Sequence, residues 1–284
     1  MFIRKSSIGK TVLGLGLLLV AAVALTGCFV GGNITAEETI SQSFETGATP
    51  RVVAETFNGE INVLAAEAGQ VSVDVIKRGA GFSRAEAEDD LANVEVTLTQ
   101  EGDTVRIVAR RLNAAFNVGN SGATIELSVP AGATLELSSS NGEVTASGVT
   151  GDVQLNTSNG DVEVRDGAGR LDLGTSNGSV TIDAQAAVVD AHTSNGSIDF
   201  VGSVAEGNHS FRTSNGRIKL TLPAAAGFRL DASTSNGKVT TDFAINRTSP
   251  DDDDNELRGT VGENTSVSIT ASSSNGSIEI RSEK

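Results

Sequence analysis

Residues 157–160, 175–178 and 193–196 spell one phrase three times: Thr157-Ser158-Asn159-Gly160, Thr175-Ser176-Asn177-Gly178 and Thr193-Ser194-Asn195-Gly196. It returns as Thr213-Ser214-Asn215-Gly216 and Thr234-Ser235-Asn236-Gly237, with shorter copies at Ser140-Asn141-Gly142 and Ser274-Asn275-Gly276. Successive Asn positions lie 18, 18, 18, 20, 21 and 39 residues apart. A fixed period in this range is the signature of a solenoid or another repeat array. Alternating residues precede the phrase, as in Val153-x-Leu155-x-Thr157 and Leu171-x-Leu173-x-Thr175. A second alternation follows it, as in Val162-x-Val164 and Val180-x-Ile182. Period 2 with one apolar set puts one face in a core and the other in solvent. Between the strands, Asn and Gly accept the left-handed backbone that a tight corner demands.

Asn-Gly is also the strongest short hairpin signal, so an antiparallel meander competes with a solenoid and spacing alone does not separate them. Intervals of 18 to 21 residues suit one solenoid coil, and identical polar residues at one phase can stack as a hydrogen-bonded ladder. The predicted fold is therefore all-β: a single-stranded β-solenoid of 18–21-residue coils, with an N-terminal β-rich cap carrying one short helix. The structural corners are Asn141-Gly142, Asn159-Gly160, Asn177-Gly178, Asn195-Gly196, Asn215-Gly216, Asn236-Gly237 and Asn275-Gly276. Thr faces the narrow core and Ser faces out, which makes Ser158, Ser176, Ser194, Ser214 and Ser235 a candidate interaction face.

Upstream, the chain begins with an address. Arg4, Lys5 and Lys10 precede an apolar run from Thr11 to Leu25, which is 15 residues long and shorter than the roughly 20 a membrane-spanning helix needs. Leu25-Thr26-Gly27-Cys28 resembles the lipobox of bacterial lipoproteins, which implies cleavage before Cys28 and its lipidation. Two or more acyl chains anchor stably where one is marginal. Cys28 is the sole cysteine, so no thiol remains for a disulfide, a metal or nucleophilic catalysis. The expected division is a leader at 1–27, a lipidated flexible tether at 28–50, the cap at 51–112 and the repeats at 113–284. Within the cap, Phe57-Asn58-Gly59-Glu60 is an isolated early corner, and Ser83-Arg84-Ala85-Glu86 is a capping-box pattern opening a helix to about Ala92. An exposed acidic loop at about 246–256 contains Asp251–Asp254, and the 39-residue interval around it is close to two coils.

Composition narrows the chemistry. The chain of 284 residues carries a net charge of −15 and neither Trp nor Tyr. That acidity disfavours nucleic-acid binding, which wants a basic face. Calcium ladders need a carboxylate repeated at one phase. The residue after each corner Gly is instead Glu143, Asp161, Ser179, Ser197, Arg217, Lys238 and Ser277. Glycoside hydrolysis needs paired carboxylates in a cleft, and no aromatic platform for a sugar stands out. His192 and His209 read as surface decoration rather than a metal or acid–base pair. No catalytic residue, metal or cofactor is expected.

The succession as a whole resembles the bacterial "putative adhesin" family of β-solenoid domains. The resemblance rests on Phe57-Asn58-Gly59-Glu60-Ile61-Asn62-Val63, Ile125-Glu126-Leu127-Ser128-Val129-Pro130, the reiterated phrase, Leu222-Pro223 and the closing Ser274-Asn275-Gly276-Ser277-Ile278-Glu279-Ile280. It implies an exported, non-enzymatic β-solenoid of uncharacterised role. The expected function is a lipid-anchored cell-envelope interaction module on the extracytoplasmic side, with a surface glycan or protein as ligand. The alternative is a membrane-tethered accessory in envelope-stress sensing that acts through a protein partner.

Overall fold

A computed structural model describes residues 18–19, 34–112, 121–248, 254–263 and 266–283. Cys28 and most of the expected leader lie outside the described residues. The phrase does turn one strand into the next, and the ladders that follow are parallel, which excludes the meander. Strands entering the corner form one wall, where Thr134–Asn141 pairs in parallel with Val153–Asn159, and that strand with the second half of Val162–Asn177. Strands leaving it form the facing wall, in which Val144–Ser147 pairs in parallel with Val162, Glu163, Val164 and Arg165. Val162–Asn177 and Val180–Asn195 run from one wall into the other. They bend where Asp166 and Ala186 take positive φ values of 51° and 50°.

Alternation explains the core. Val153, Leu155, Leu171, Leu173, Val189 and Ala191 face inward from one wall, and Val162, Val164, Val180 and Ile182 from the other. One large ring sits where its ladder neighbours are small. Phe211 lies in register between Ala191 and Ala271, and its ring meets Phe200 at 5.7 Å between centroids.

Spatial order departs from chain order at both ends. Arg51–Thr56 stacks in parallel on Thr134–Asn141 on one side and Thr104–Arg111 on the other. The stretch expected as part of a separate cap thus contributes an interior coil, and Ile61–Ala66 continues it between Val144–Ser147 and Gly122–Pro130. Antiparallel pairs close this end instead: Val94–Glu101 on Thr104–Arg111, and Gln70–Gly81 on Gly122–Pro130. The helix expected from its capping box spans Arg84–Ala92, with the Ser83 side chain accepting from the Glu86 amide.

The expected flexible tether is largely strand. Ile34–Glu45 pairs antiparallel with Gln70–Gly81 along its whole length, and Leu18–Leu19 pairs with Gln42 and Ser41 on its other edge. Its Ser, Thr and Glu residues hid a strand that has only a few inward positions, among them the buried Ala36 and Phe44.

At the far end, the 39-residue interval is not two successive coils. Val267–Asn275 inserts between Gly207–Asn215 and Phe228–Asn236, and Ile278–Ser282 inserts between Ile218–Leu222 and Val239–Thr241. The segment latest in sequence is therefore the penultimate coil. The region expected as an acidic loop contributes Asn246–Arg247 and Glu256–Val261, an antiparallel hairpin that covers Phe228–Asn236. Asp254 is exposed as expected, and its carboxylate pairs with Lys238 at 3.1 Å. Its neighbours Asp251, Asp252 and Asp253 lie outside the described residues.

Candidate functional site

Four columns run side by side along the corner, one for each residue of the phrase. Thr157, Thr175, Thr193, Thr213 and Thr234 are buried, as are Ser139 and Ser273 at the same phase. Each hydroxyl donates to a corner glycine carbonyl of the adjacent coil, as Thr175 to Gly160 at 2.9 Å and Thr193 to Gly178 at 2.9 Å. The shape of Thr suits both tasks, because its methyl packs inward while its hydroxyl satisfies a carbonyl that the corner leaves free.

The Asn side chains stack as an amide ladder. Nδ2 of Asn159 donates to Oδ1 of Asn141 at 2.9 Å, and the pattern repeats from Asn177 to Asn159 and from Asn195 to Asn177. It continues from Asn215 to Asn195, from Asn275 to Asn215 and from Asn236 to Asn275. Asn58 extends the column with a different partner, donating to the Ser121 carbonyl at 2.6 Å.

Glycine is required for closeness more than for handedness. A Cβ on Gly160 would lie 2.1 Å from the Gly142 carbonyl oxygen, and one on Gly196 would lie 1.8 Å from that of Gly178. Gly142 and Gly276 have φ values of 149° and 154°, but Gly160, Gly178, Gly196, Gly216 and Gly237 are outside the left-handed range. None of the Asn residues there has positive φ. The expectation that Asn and Gly both turn left-handed is corrected: contact between stacked backbones imposes glycine.

The serines of the candidate face fall in one line, exposed to solvent. The register pairs Thr157 with Thr175 and Asn159 with Asn177, so Ser158 and Ser176 are neighbours, and likewise Ser176, Ser194 and Ser214. Between Ser214 and Ser235 the structure inserts Ser274, and Ser140 precedes Ser158. Ser274 was visible as part of a corner, but its place in the line depends on the inserted coil.

The residues after the corner sort by charge once placed in spatial order. Glu60, Glu143 and Asp161 occupy one end, Ser179 and Ser197 the middle, and Arg217, Ser277 and Lys238 the other end. Partial burial, then the neighbouring Glu163, Glu60 and Asp161, push the Glu143 carboxyl above its usual range. Arg217 pairs with Asp199 at 3.2 Å. Among the described residues, no group of three or more His, Cys, Asp or Glu side chains is placed to hold a metal ion.

The histidines part company. His192 is exposed and leans over Gly174, where a Cβ would lie 2.5 Å from its Cε1. His209 is not surface decoration: it is 1% exposed. The amide of Val189 donates to its Nδ1 at 3.3 Å, which leaves the proton on Nε2 to donate to the Ala205 carbonyl at 2.9 Å. The reason is the change of interval from 18 to 20 residues between Asn195 and Asn215. The ladder between these strands begins only at Asp190 and Ser210, so the imidazole takes the backbone partner's place. Burial lowers its pKa.

The outer faces carry open polar clefts. One of about 420 Å³ lies among Asn62, Leu64, Asp74, Glu126 and Arg165, and another of about 260 Å³ lies among Arg170, Asp190, Asn208, Ser210 and Arg212.

No curated protein matches the sequence. Solved structures align along most of the chain at low identity. A putative cell adhesion protein from Clostridium sporogenes is 12% identical, with 87% of this chain and 100% of that one covered and a TM-score of 0.38. A putative adhesin from Bacteroides fragilis is 12% identical, covering 87% and 97%, with a TM-score of 0.37. A putative lipid binding protein from Parabacteroides distasonis is 15% identical, covering 87% and 97%, with a TM-score of 0.43. The Toastrack DUF4097 family matches residues 60–184 and 113–281, an overlapping span that takes in all seven Asn-Gly corners of the repeats. The chain belongs to the Toastrack DUF4097 family.

Proposed function

We propose that the protein is a non-enzymatic, lipid-anchored module of the cell envelope that binds a surface glycan or protein along its serine line. The observation that carries this reading is the in-register stacking of Ser158, Ser176, Ser194, Ser214, Ser274 and Ser235 beside the Asn ladder. Strand neighbours repeat about every 4.8 Å, so the line offers hydroxyls at a regular spacing on a rigid support. A repeating polymer or an extended peptide matches such a surface, because each added unit meets the same donor and acceptor set. Rigidity also limits the entropy lost on binding. Cys28 supplies the anchor in this reading and holds the domain on the extracytoplasmic side.

The test is binding of the purified protein to cell-wall polymers and host glycans, with photocrosslinking at Ser176 and Ser194 in the intact envelope. A Ser176→Arg, Ser194→Arg double variant should keep its melting temperature and lose at least tenfold in affinity for the captured ligand. The reading is overturned if no glycan, polymer or envelope protein engages this face, or if the double variant binds as well as the parent.

A further inference from the structure

We infer that the helix-bearing end of the molecule rests on the bilayer surface, with the Phe82 ring seated among the lipid headgroups beside the anchor. This inference rests on the reading of Cys28 as lipidated. Only residues 29–33 separate Cys28 from Ile34, the first residue of the strand Ile34–Glu45. Six peptide steps reach at most about 20 Å, so the connection is too short to lift the domain well clear of the membrane.

Ile34 lies directly across the ladder from Gly81, and Phe82 is the next residue. Phe82 is 72% exposed, above Leu64, Leu112 and Val201, the other large apolar residues exposed among the described ones. Its backbone is fixed there: the Phe82 amide donates to Glu86 Oε2 at 2.9 Å, while the Ser83 hydroxyl accepts from the Glu86 amide at 3.3 Å. This reciprocal cap holds the entry to the helix. Gly81 presses so closely on the helix that a Cβ would lie 2.5 Å from that of Glu86.

A single exposed apolar residue is ordinary on a protein surface. The meaning of this one comes from its place, one residue past Gly81, the ladder partner of Ile34 at the start of the strand that follows the anchor. Two further exposed residues lie at the helix-bearing end. Arg78, exposed on the same strand, has no ion-pair partner among the described residues, and it suits an anionic headgroup. Leu112 is 54% exposed, and its amide donates to the Asn93 carbonyl at the other end of the helix.

The chain has no Trp, so Phe82→Trp reports from one position. The full chain, expressed with its leader, would be reconstituted into phosphatidylethanolamine–phosphatidylglycerol vesicles that include lipids with brominated acyl chains. Indole emission from the Phe82→Trp variant should shift to the blue and be quenched, whereas Val201→Trp, on the outer face several coils away, should show neither effect. Intact mass shows whether the lipid is attached. Lipidated Phe82→Trp protein with unshifted, unquenched emission overturns the docking and leaves the anchor standing. Absence of the lipid mass overturns the anchor and the docking with it. Leu112→Trp gives a second reporter should Phe82→Trp lower the melting temperature.

Discussion

Asn275 Nδ2 donates to Asn215 Oδ1 at 2.8 Å, although 60 residues separate them in the chain. On its other side, Asn275 Oδ1 accepts from Asn236 at 3.0 Å. The coil that carries Asn275 is thus held inside the stack by residues that precede it, and the chain folds back between two of its own earlier strands.

Loss of this link should cost more than loss of the ladder's last rung. Asn275→Ala removes both side-chain bonds, whereas Asn236→Ala removes one. At about 0.5–1.5 kcal/mol net for each bond, the first should destabilise by roughly twice the second. Urea unfolding of the two variants checks the ratio, and hydrogen exchange should show faster opening of 267–282 in Asn275→Ala.

The glycine column should tolerate no methyl. Gly196→Ala places a Cβ 1.8 Å from the Gly178 carbonyl oxygen, a backbone atom that cannot move without parting two coils. The expected cost is about 3 kcal/mol or more, at or above the upper end for overpacking. Ser194→Ala, two residues away and exposed, should change stability by less than about 0.5 kcal/mol. Denaturant midpoints of the two variants measure the contrast.

His209 should make the protein sensitive to mild acid. Its folded pKa is lowered, chiefly by burial, so between the folded value and the ordinary value of about 6.5 the unfolded chain binds more protons. The stability due to neutral His209 is therefore full above about pH 6.5 and falls as pH drops through that window. Protonation also gives Nδ1 a hydrogen that faces the Val189 amide, its present donor. His209→Gln removes the titration, so its loss of stability between neutral and mildly acidic pH should be smaller than that of the parent. Unfolding curves at matched pH values decide it.

Glu143 should act in the opposite sense. Burial and three neighbouring carboxylates raise its pKa, so ionisation is less favourable in the folded state. Stability from this residue falls as pH rises through the interval between its unfolded and folded values. Glu143→Gln should be more stable than the parent at neutral pH by a few tenths of a kcal/mol, about the scale of a surface charge interaction. The difference should vanish near pH 3, about where the carboxyl is protonated in both states. Melting temperatures across this range provide the check.

Local patterns carry the coil and the corner. Val153-x-Leu155-x-Thr157 states which face is buried, because alternation acts between near neighbours, and Asn159-Gly160 marks the corner, although the stacked coil and not local turn geometry imposes its glycine. Ser83 and Glu86 at the helix start likewise act between near neighbours. Other features resisted reading for physical reasons. Ile34–Glu45 is a strand whose mostly polar alternation looks like a loop, and its partner Gln70–Gly81, which runs beside its whole length, gives it shape. His209 looks exposed until the missing ladder bond to Val189 reveals its role.

The sequence by itself determined that coils form, how long they are, and that Thr, Ser, Asn and Gly each occupy one column. The tertiary structure alone decided the order in which coils stack. Every coil presents the same row of amides and carbonyls at the same register, so local chemistry lets any coil sit on any other. What selects the order is long-range fit. Phe211 fills the space left by Ala191 and Ala271, and the antiparallel hairpin of Asn246–Arg247 and Glu256–Val261 covers the edge of Phe228–Asn236, which would otherwise stand open.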